Sequence, residues 1–179
     1  MPILAFVANK HNLNSIAALT GALEVDARTR ALPLRFLWQG EHTVSKLRAL
    51  GQETELLIAA LSFATANLPG AASLLGELKG REPEPFVVAG GPHPSARPGQ
   101  VLQLGAGAVV VGEGERALPA LLDRLLAGES MEGLPGVATL AADGGLLQGP
   151  RPKPIDLDAY PPLGVEHRRF GPIEITRGC

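Results

Sequence analysis

Cysteine is almost absent from this chain of 179 residues, since Cys179, the last residue, is the only one. No disulfide can form within the chain, and a reducing cytoplasm is therefore the expected compartment. Aromatic residues make up only 4% of the sequence, so leucine, valine, isoleucine and alanine must build the core. No apolar stretch approaches the roughly 20 residues that span a bilayer. The segment Met1–Asn9 also lacks the basic region of a signal peptide, so neither a membrane anchor nor a leader is expected.

Charge of either sign is also sparse and mixed along the chain. The formal net charge is −2, and the arginines and lysines form no basic stripe. Phosphate backbones and anionic membranes attract concentrated positive charge. We therefore expect neither nucleic acid nor a membrane surface as a partner.

Apolar runs of strand length alternate with amphipathic segments. The five runs are Ile3–Ala8, Leu34–Trp38, Glu55–Phe63, Phe86–Ala89 and Ala108–Val111. Strands that are apolar on both faces and separated by helices indicate a parallel sheet covered on both sides. The sequence therefore predicts a doubly wound, flavodoxin-like or Rossmann-like α/β domain over residues 1–132, with five parallel strands in the order 2-1-3-4-5. The last helix has the clearest apolar period, and Pro119 is expected in its first turn.

The pattern changes after residue 132. Val137–Leu140 and Leu146–Gln148 flank Asp143 and Gly144, which predicts a small β-hairpin within residues 133–149. Residues 150–170 are rich in proline and are predicted to be an extended linker. Residues 171–179 contain Ile173–Thr176, which has the pattern of a new strand.

Ligands of open parallel sheets bind beyond the carboxyl ends of the strands, where the strand order reverses. Four loops meet there in the predicted order: residues 9–14, 62–67, 90–95 and 112–115. Two of them contain paired glycines, which let a ligand approach the backbone closely. Each glycine alone is equally compatible with an ordinary tight turn.

The loop at Gly112 formally matches the dinucleotide fingerprint G-x-G-x-x-G/A, with Ala117 at the last position. That fingerprint belongs after the first strand, with an acidic residue about 20 positions later. Here it follows the fifth strand, and Glu113 and Glu115 would repel a pyrophosphate. A nucleotide- or nicotinamide-binding domain therefore stays an alternative with weak support.

Five segments together resemble the cobalamin-binding domain of radical S-adenosylmethionine proteins. They are Leu61–Thr65, Val88–Pro94, Val111–Glu115, the linker-like Pro154–Asp158, and the barrel-strand-like Ile173–Cys179. Their order and spacing match over essentially the whole chain. The resemblance implies cobalamin as the cofactor. It also implies a radical S-adenosylmethionine barrel downstream, where Cys179 is the first metal ligand of a CxxxCxxC motif.

The resemblance further implies which residues contact cobalamin. Gly90 and Gly91 let the nucleotide tail lie against backbone, Ser62 and Thr65 hydrogen-bond it, and Gly112, Glu113, Gly114 and Glu115 meet it at the rim. His93, between two prolines, is a further candidate contact, although a rigid surface turn is the commoner place for such a histidine. Helix capping is an equally good explanation of Ser62 and Thr65.

The chain departs from the family's axial-ligand motif, D-x-H-x-x-G. His11 stands at the histidine position, but Asn9 and Asn14 replace the aspartate and the glycine. The carboxylate that would raise the basicity of the imidazole is therefore missing. Asn9 and His11 remain candidate contacts, but we expect His11 to be a loop histidine rather than a cobalt ligand.

For the intact protein the resemblance implies a [4Fe–4S] cluster, S-adenosylmethionine, and transfer of a methyl or another group. A cluster requires three thiolates, so this chain is expected to bind cobalamin without catalysing a reaction. A domain whose cobalamin site has decayed is the main alternative.

Overall fold

The computed structural model describes residues 1–171 and contains one mixed sheet. The strands are β1 (Ile3–Ala8), β2 (Leu34–Trp38), β3 (Leu57–Ser62), β4 (Phe86–Gly90), β5 (Ala108–Val110), β6 (Val137–Leu140) and β7 (Leu146–Gln148). The parallel part has the order β2-β1-β3-β4-β5, which confirms the prediction. The predicted hairpin continues the same sheet as two antiparallel strands, β6 and β7, which makes the sheet seven-stranded.

Helices cover both faces of the sheet. They are α1 (Leu13–Val25), α2 (Thr43–Gln52), α3 (Leu68–Leu78), α4 (Pro92–Ala96), α5 (Pro98–Gln103) and α6 (Gly114–Leu126). Helices α1 and α6 share one apolar cluster with one face of the sheet, and α2, α3 and α5 share a second cluster with the other face. The two clusters explain why β1 is buried at every position.

Two short helices and one helix start differ from the sequence predictions. Helices α4 and α5 have five and six residues, too few to show a helical period in the sequence. Pro119 was expected in the first turn of its helix, and this prediction is wrong. Because α6 begins at Gly114, Pro119 lies inside the helix, where proline cannot donate the usual backbone hydrogen bond.

The proline-rich residues 150–169 lie against the α/β domain. The structure gives them a short 3₁₀ turn at Leu157–Ala159 and a bridge between Gly164 and Arg169. No helix within residues 1–171 is long and apolar enough to cross a bilayer. The predicted strand Ile173–Thr176 and the proposed cluster ligand Cys179 lie outside the described residues.

Candidate functional site

A cavity of about 470 Å³ opens at the carboxyl ends of β1, β3, β4 and β5, between α1 and α6. All four loops that the sequence assigned to the ligand edge are represented in its wall. The lining residues are Phe6, Asn12, Ser15, Ile16, Leu19, Ala60, Leu61, Ser62, Val88, Ala89, Gly90, Gly91, Val110, Gly112, Glu113, Gly114, Glu115 and Leu118. The topological switch point is therefore an open cavity and is not filled by packed side chains.

The floor of the cavity is apolar, and one small side chain gives it depth. Ala60 of β3 lies in register between Phe6 of β1 and Val88 of β4. In the next row towards the carboxyl edge, Ser62 is in register with Gly90. Small residues thus lie beside larger ones along the floor, which leaves room above Ala60 and Gly90.

Gly91 holds the turn between β4 and α4 in a conformation that only glycine adopts readily. Its φ is 93° and its ψ is −175°. A Cβ at this position would lie 2.8 Å from Ser62 Oγ and 3.0 Å from the backbone nitrogen of Phe63. The glycine therefore permits both the turn and the close approach of the loops after β3 and β4.

The loop after β5 is held to α4 by the hydroxyl of Ser95. The N–H of Gly112, whose φ is 83°, donates to Ser95 Oγ over 2.9 Å. At Gly114, a Cβ would lie 2.7 Å from Leu19 Cδ2 on α1. This glycine brings α6 close to α1, so it shapes the cavity by helix packing.

Asn12 anchors the loop after β1 and was missed as a site residue by the sequence analysis. The side chain is buried, and its Nδ2 donates to the carbonyls of Val7 and Ser62 over 3.0 and 3.3 Å. Its Oδ1 accepts the N–H of Asn9 over 2.8 Å. Asparagine ahead of a helix indicates a cap, yet here it makes no side-chain cap and instead joins the ends of β1 and β3.

Polar groups stand at the rim of the cavity. Ser15 and Ser62 contribute hydroxyls, and carboxylates come from Glu113, directly before α6, and from Glu115 in its first turn. The side chain of Glu115 is buried, and Glu113 Oε2 accepts the N–H of Ile155 over 2.9 Å. Within the part of the chain that the structure describes, the lining includes no lysine or arginine.

Seven of the predicted contact residues line the cavity: Ser62, Gly90, Gly91, Gly112, Glu113, Gly114 and Glu115. Thr65 and His93 lie outside its lining and face each other, with 3.1 Å between Thr65 Oγ1 and His93 Nδ1. The expectation that His93 lies in a surface turn is wrong, because its ring is buried in α4 and stacks on Phe63 with 5.8 Å between ring centroids. No side-chain capping bond forms at the helix starts next to Thr65.

Asn9 and His11 also lie outside the lining of the cavity. Asn9 Oδ1 accepts the backbone N–H of His11 over 2.9 Å, and its Nδ2 donates to Gln39 Oε1 over 3.0 Å. His11 itself is exposed. The amide that replaces the motif's aspartate is therefore occupied with the backbone of its own loop and with Gln39.

Comparisons with solved structures identify similar folds at low sequence identity. TsrM from Kitasatospora setae, a radical S-adenosylmethionine methyltransferase solved with tryptophan and a SAM analogue, is 19% identical, with a TM-score of 0.64. The match covers 83% of this chain and 30% of that one. OxsB, a cobalamin-dependent S-adenosylmethionine radical enzyme solved with aqua-cobalamin and S-adenosylmethionine, is 15% identical with a TM-score of 0.53. That match covers 85% of this chain and 22% of OxsB.

These likenesses show the fold alone, and the chain spans less than a third of either enzyme. A comparison with curated proteins found no match. The B12 binding domain family, in contrast, matches residues 10–122, more than half of the 179 residues. The matched range contains nearly all the residues that line the cavity. The chain therefore belongs to the B12 binding domain family.

Proposed function

We propose that the cavity between α1 and α6 holds the nucleotide tail of cobalamin, with the corrin ring outside it at the carboxyl edge of the sheet. The observation that carries the proposal is the open slot at the switch point, lined by glycines at the ends of β4 and β5. When bound, cobalamin supplies a cobalt centre that carries a methyl group. The protein's part is to bind and orient the cofactor.

The chemistry of the lining fits such a tail. The tail ends in a flat aromatic base, and the floor formed by Phe6, Ala60 and Val88 is apolar. Ribose hydroxyls and corrin amides donate hydrogen bonds, for which Ser15 and Glu113 at the rim provide acceptors. A volume of about 470 Å³ also lies within the range of cofactor pockets.

The same lining argues against a dinucleotide. A pyrophosphate carries two negative charges and would lie beside the carboxylates of Glu113 and Glu115, with no lysine or arginine among the described lining residues. The second glycine of the formal fingerprint, Gly114, faces Leu19 on α1 and serves helix packing. Cobalamin has a single phosphodiester and a mostly uncharged surface, so it suits this slot better.

Spectral titration with hydroxocobalamin tests the proposal. We expect saturable shifts of the corrin absorption bands with one equivalent of cofactor, and no measurable binding of NADH under the same conditions. A decayed site would leave the corrin bands unmoved. That result, or tight binding of NADH, would contradict the proposal.

His11 is expected not to coordinate cobalt. The histidine is exposed and lies outside the cavity lining, and Asn9 offers an amide in place of the usual carboxylate. We expect the cob(II)alamin complex to show no imidazole nitrogen coupling in electron paramagnetic resonance. The spectrum and the affinity should be unchanged in His11→Ala, as in the exposed control His42→Ala. Nitrogen coupling that disappears only in His11→Ala would refute this.

For the intact protein we propose the cobalamin-binding part of a radical S-adenosylmethionine enzyme that transfers a methyl or another group. The fold shared with TsrM and OxsB supports this role. The proposal places Cys179 as the first ligand of a [4Fe–4S] cluster in a barrel that follows this domain. The coding sequence after Cys179 tests this proposal. We expect two further cysteines there, spaced as in CxxxCxxC.

A further inference from the structure

We propose that residues 150–169, here called the strap, hold the two helical walls of the slot together, and that Glu24 positions the strap. The inference rests on the proposed function, because it concerns the same slot. Helix α6 and the loop before it form one wall, and α1 forms the other. The strap is attached to both.

The first attachment is at the rim beside α6. The N–H of Ile155 donates to Glu113 Oε2 over 2.9 Å. A Cβ at Gly112 would lie 3.8 Å from Pro152 Cγ, so the strap passes close to this loop. Both Gly112 and Glu113 line the cavity.

The second attachment is on α1. At Gly21, a Cβ would lie 2.6 Å from the carbonyl oxygen of Leu163 and 2.7 Å from that of Pro161. Any side chain at this position would push the strap away, so glycine lets its backbone lie directly on the helix. Leu19, two residues earlier on α1, is part of the cavity wall.

Glu24 fastens the strap at the end of α1. Glu24 Oε1 accepts a hydrogen bond from the backbone N–H of His167 over 2.9 Å. The same oxygen lies 2.8 Å from His167 Nδ1. The Glu24 side chain is only 6% exposed. Burial raises the pKa of Glu24, but the hydrogen bonds from His167 outweigh it, and the pKa lies below its ordinary value. The carboxylate is therefore charged and held in place at neutral pH.

A third contact connects the strap to the floor of the cavity indirectly, through Phe36. The Arg169 guanidinium lies 3.9 Å from the centroid of the Phe36 ring. Phe36 stacks on Phe6 with 5.6 Å between centroids, and Phe6 forms part of the floor. The strap therefore contacts the slot through α1, through the rim and through this aromatic pair, without entering the cavity.

If the strap holds the walls at the spacing that the ligand needs, ligand and strap must stabilise each other equally by thermodynamic linkage. Hydrogen exchange on the full chain measures both directions. We expect hydroxocobalamin to increase protection of the amides at His167 and Arg169, which donate to Glu24 and Gly164. Without ligand, Glu24→Ala should increase amide hydrogen exchange in residues 15–23 of α1 and leave the exchange of α3 unchanged.

Glu24→Ala should also lower cobalamin affinity roughly three- to tenfold, the range expected for coupling through a packed contact. Glu24→Gln keeps an acceptor for His167 and should restore part of this loss. Arg169→Ala, which removes the contact with the Phe36 ring, should weaken binding about twofold. Glu53→Ala removes the same charge at an exposed position beyond α2 and should have no effect.

The outcomes separate the two proposals. A wild-type protein that fails to bind hydroxocobalamin overturns the proposed function. If the wild type binds hydroxocobalamin and Glu24→Ala binds it equally tightly, the proposal about the strap is wrong and the proposed function stands. The same holds if cobalamin binding does not increase amide protection in the strap. The proposal about the strap is also wrong if amide hydrogen exchange in α1 is the same in ligand-free Glu24→Ala as in the ligand-free wild type.

Discussion

Replacing Gly90 with valine is expected to lower the affinity for cobalamin about 100-fold while leaving the fold intact. Gly90 ends β4 and forms part of the cavity floor, beside Ser62 in register on β3. A valine side chain would occupy the depression that we assign to the tail's aromatic base. Overfilling a well-packed apolar site costs about 1–3 kcal/mol, and about 2.7 kcal/mol corresponds to 100-fold in affinity.

The fold should tolerate this change because the strand accommodates the new side chain. The backbone of Gly90 lies outside the left-handed region, and the nearest atoms to an added Cβ are Val110 O at 3.8 Å and Val110 Cβ at 3.9 Å. These are ordinary van der Waals contacts, and valine favours extended backbone. The added volume therefore goes into the cavity rather than into a clash with the sheet.

The matched control is Gly70→Val, in which the same side chain is added to the exposed face of α3. No atom lies within 4 Å of a Cβ built there. We expect wild-type cobalamin affinity for Gly70→Val, and wild-type circular dichroism for both variants. If Gly90→Val binds hydroxocobalamin as tightly as wild type, the tail does not occupy this cavity and the assignment of the slot is wrong.

The parallel sheet and its ligand edge were predictable from the sequence because both depend on local patterns. A run such as Ile3–Ala8, apolar at every position, indicates a strand buried on both faces, and glycines directly after strands indicate backbone approach. Strand order then follows from the general rules for doubly wound sheets. The loops that meet at the cavity are therefore predictable from the sequence.

The depth of the cavity was not predictable, because it depends on register across the sheet. Ala60 in the sequence Leu-Ile-Ala-Ala-Leu has the pattern of an ordinary core residue. It becomes the floor of a slot only because it lies between Phe6 and Val88, beneath the gap between α1 and α6. Sequence alone cannot specify which alanine faces a gap.

Side-chain partners could not be predicted from the sequence either. Thr65 and Ser62 belong to the same loop, yet Ser62 lines the cavity while Thr65 contacts His93. Asn12 has the position of a helix cap but instead joins two strand ends. In each case the deciding partner is distant in the sequence, and only the folded backbone brings it near.

A second substitution is expected to destabilise the fold itself. Gly91→Ala should lower the free energy of unfolding by about 2–4 kcal/mol, because the φ of 93° and ψ of −175° belong to a region that costs alanine about 1–3 kcal/mol, and overpacking adds at least about 1 kcal/mol. The new Cβ would also lie 2.8 Å from Ser62 Oγ and 3.0 Å from the Phe63 nitrogen. Urea unfolding followed by circular dichroism measures the change, with Gly76→Ala as the control.

Gly76 is exposed on α3, and no atom lies within 4 Å of a Cβ built there. Alanine at this position should therefore stabilise the folded protein by about 0.5–1 kcal/mol, because alanine favours the helix more than glycine does. The opposite signs of the two glycine-to-alanine changes separate backbone strain from a general effect of removing glycine. Because domains of this size are stable by only about 5–15 kcal/mol, Gly91→Ala should shift the urea midpoint markedly. Equal midpoints for Gly91→Ala and wild type would show that the loop relaxes without cost. In that case Gly91 would not be what fixes the approach of the loops after β3 and β4.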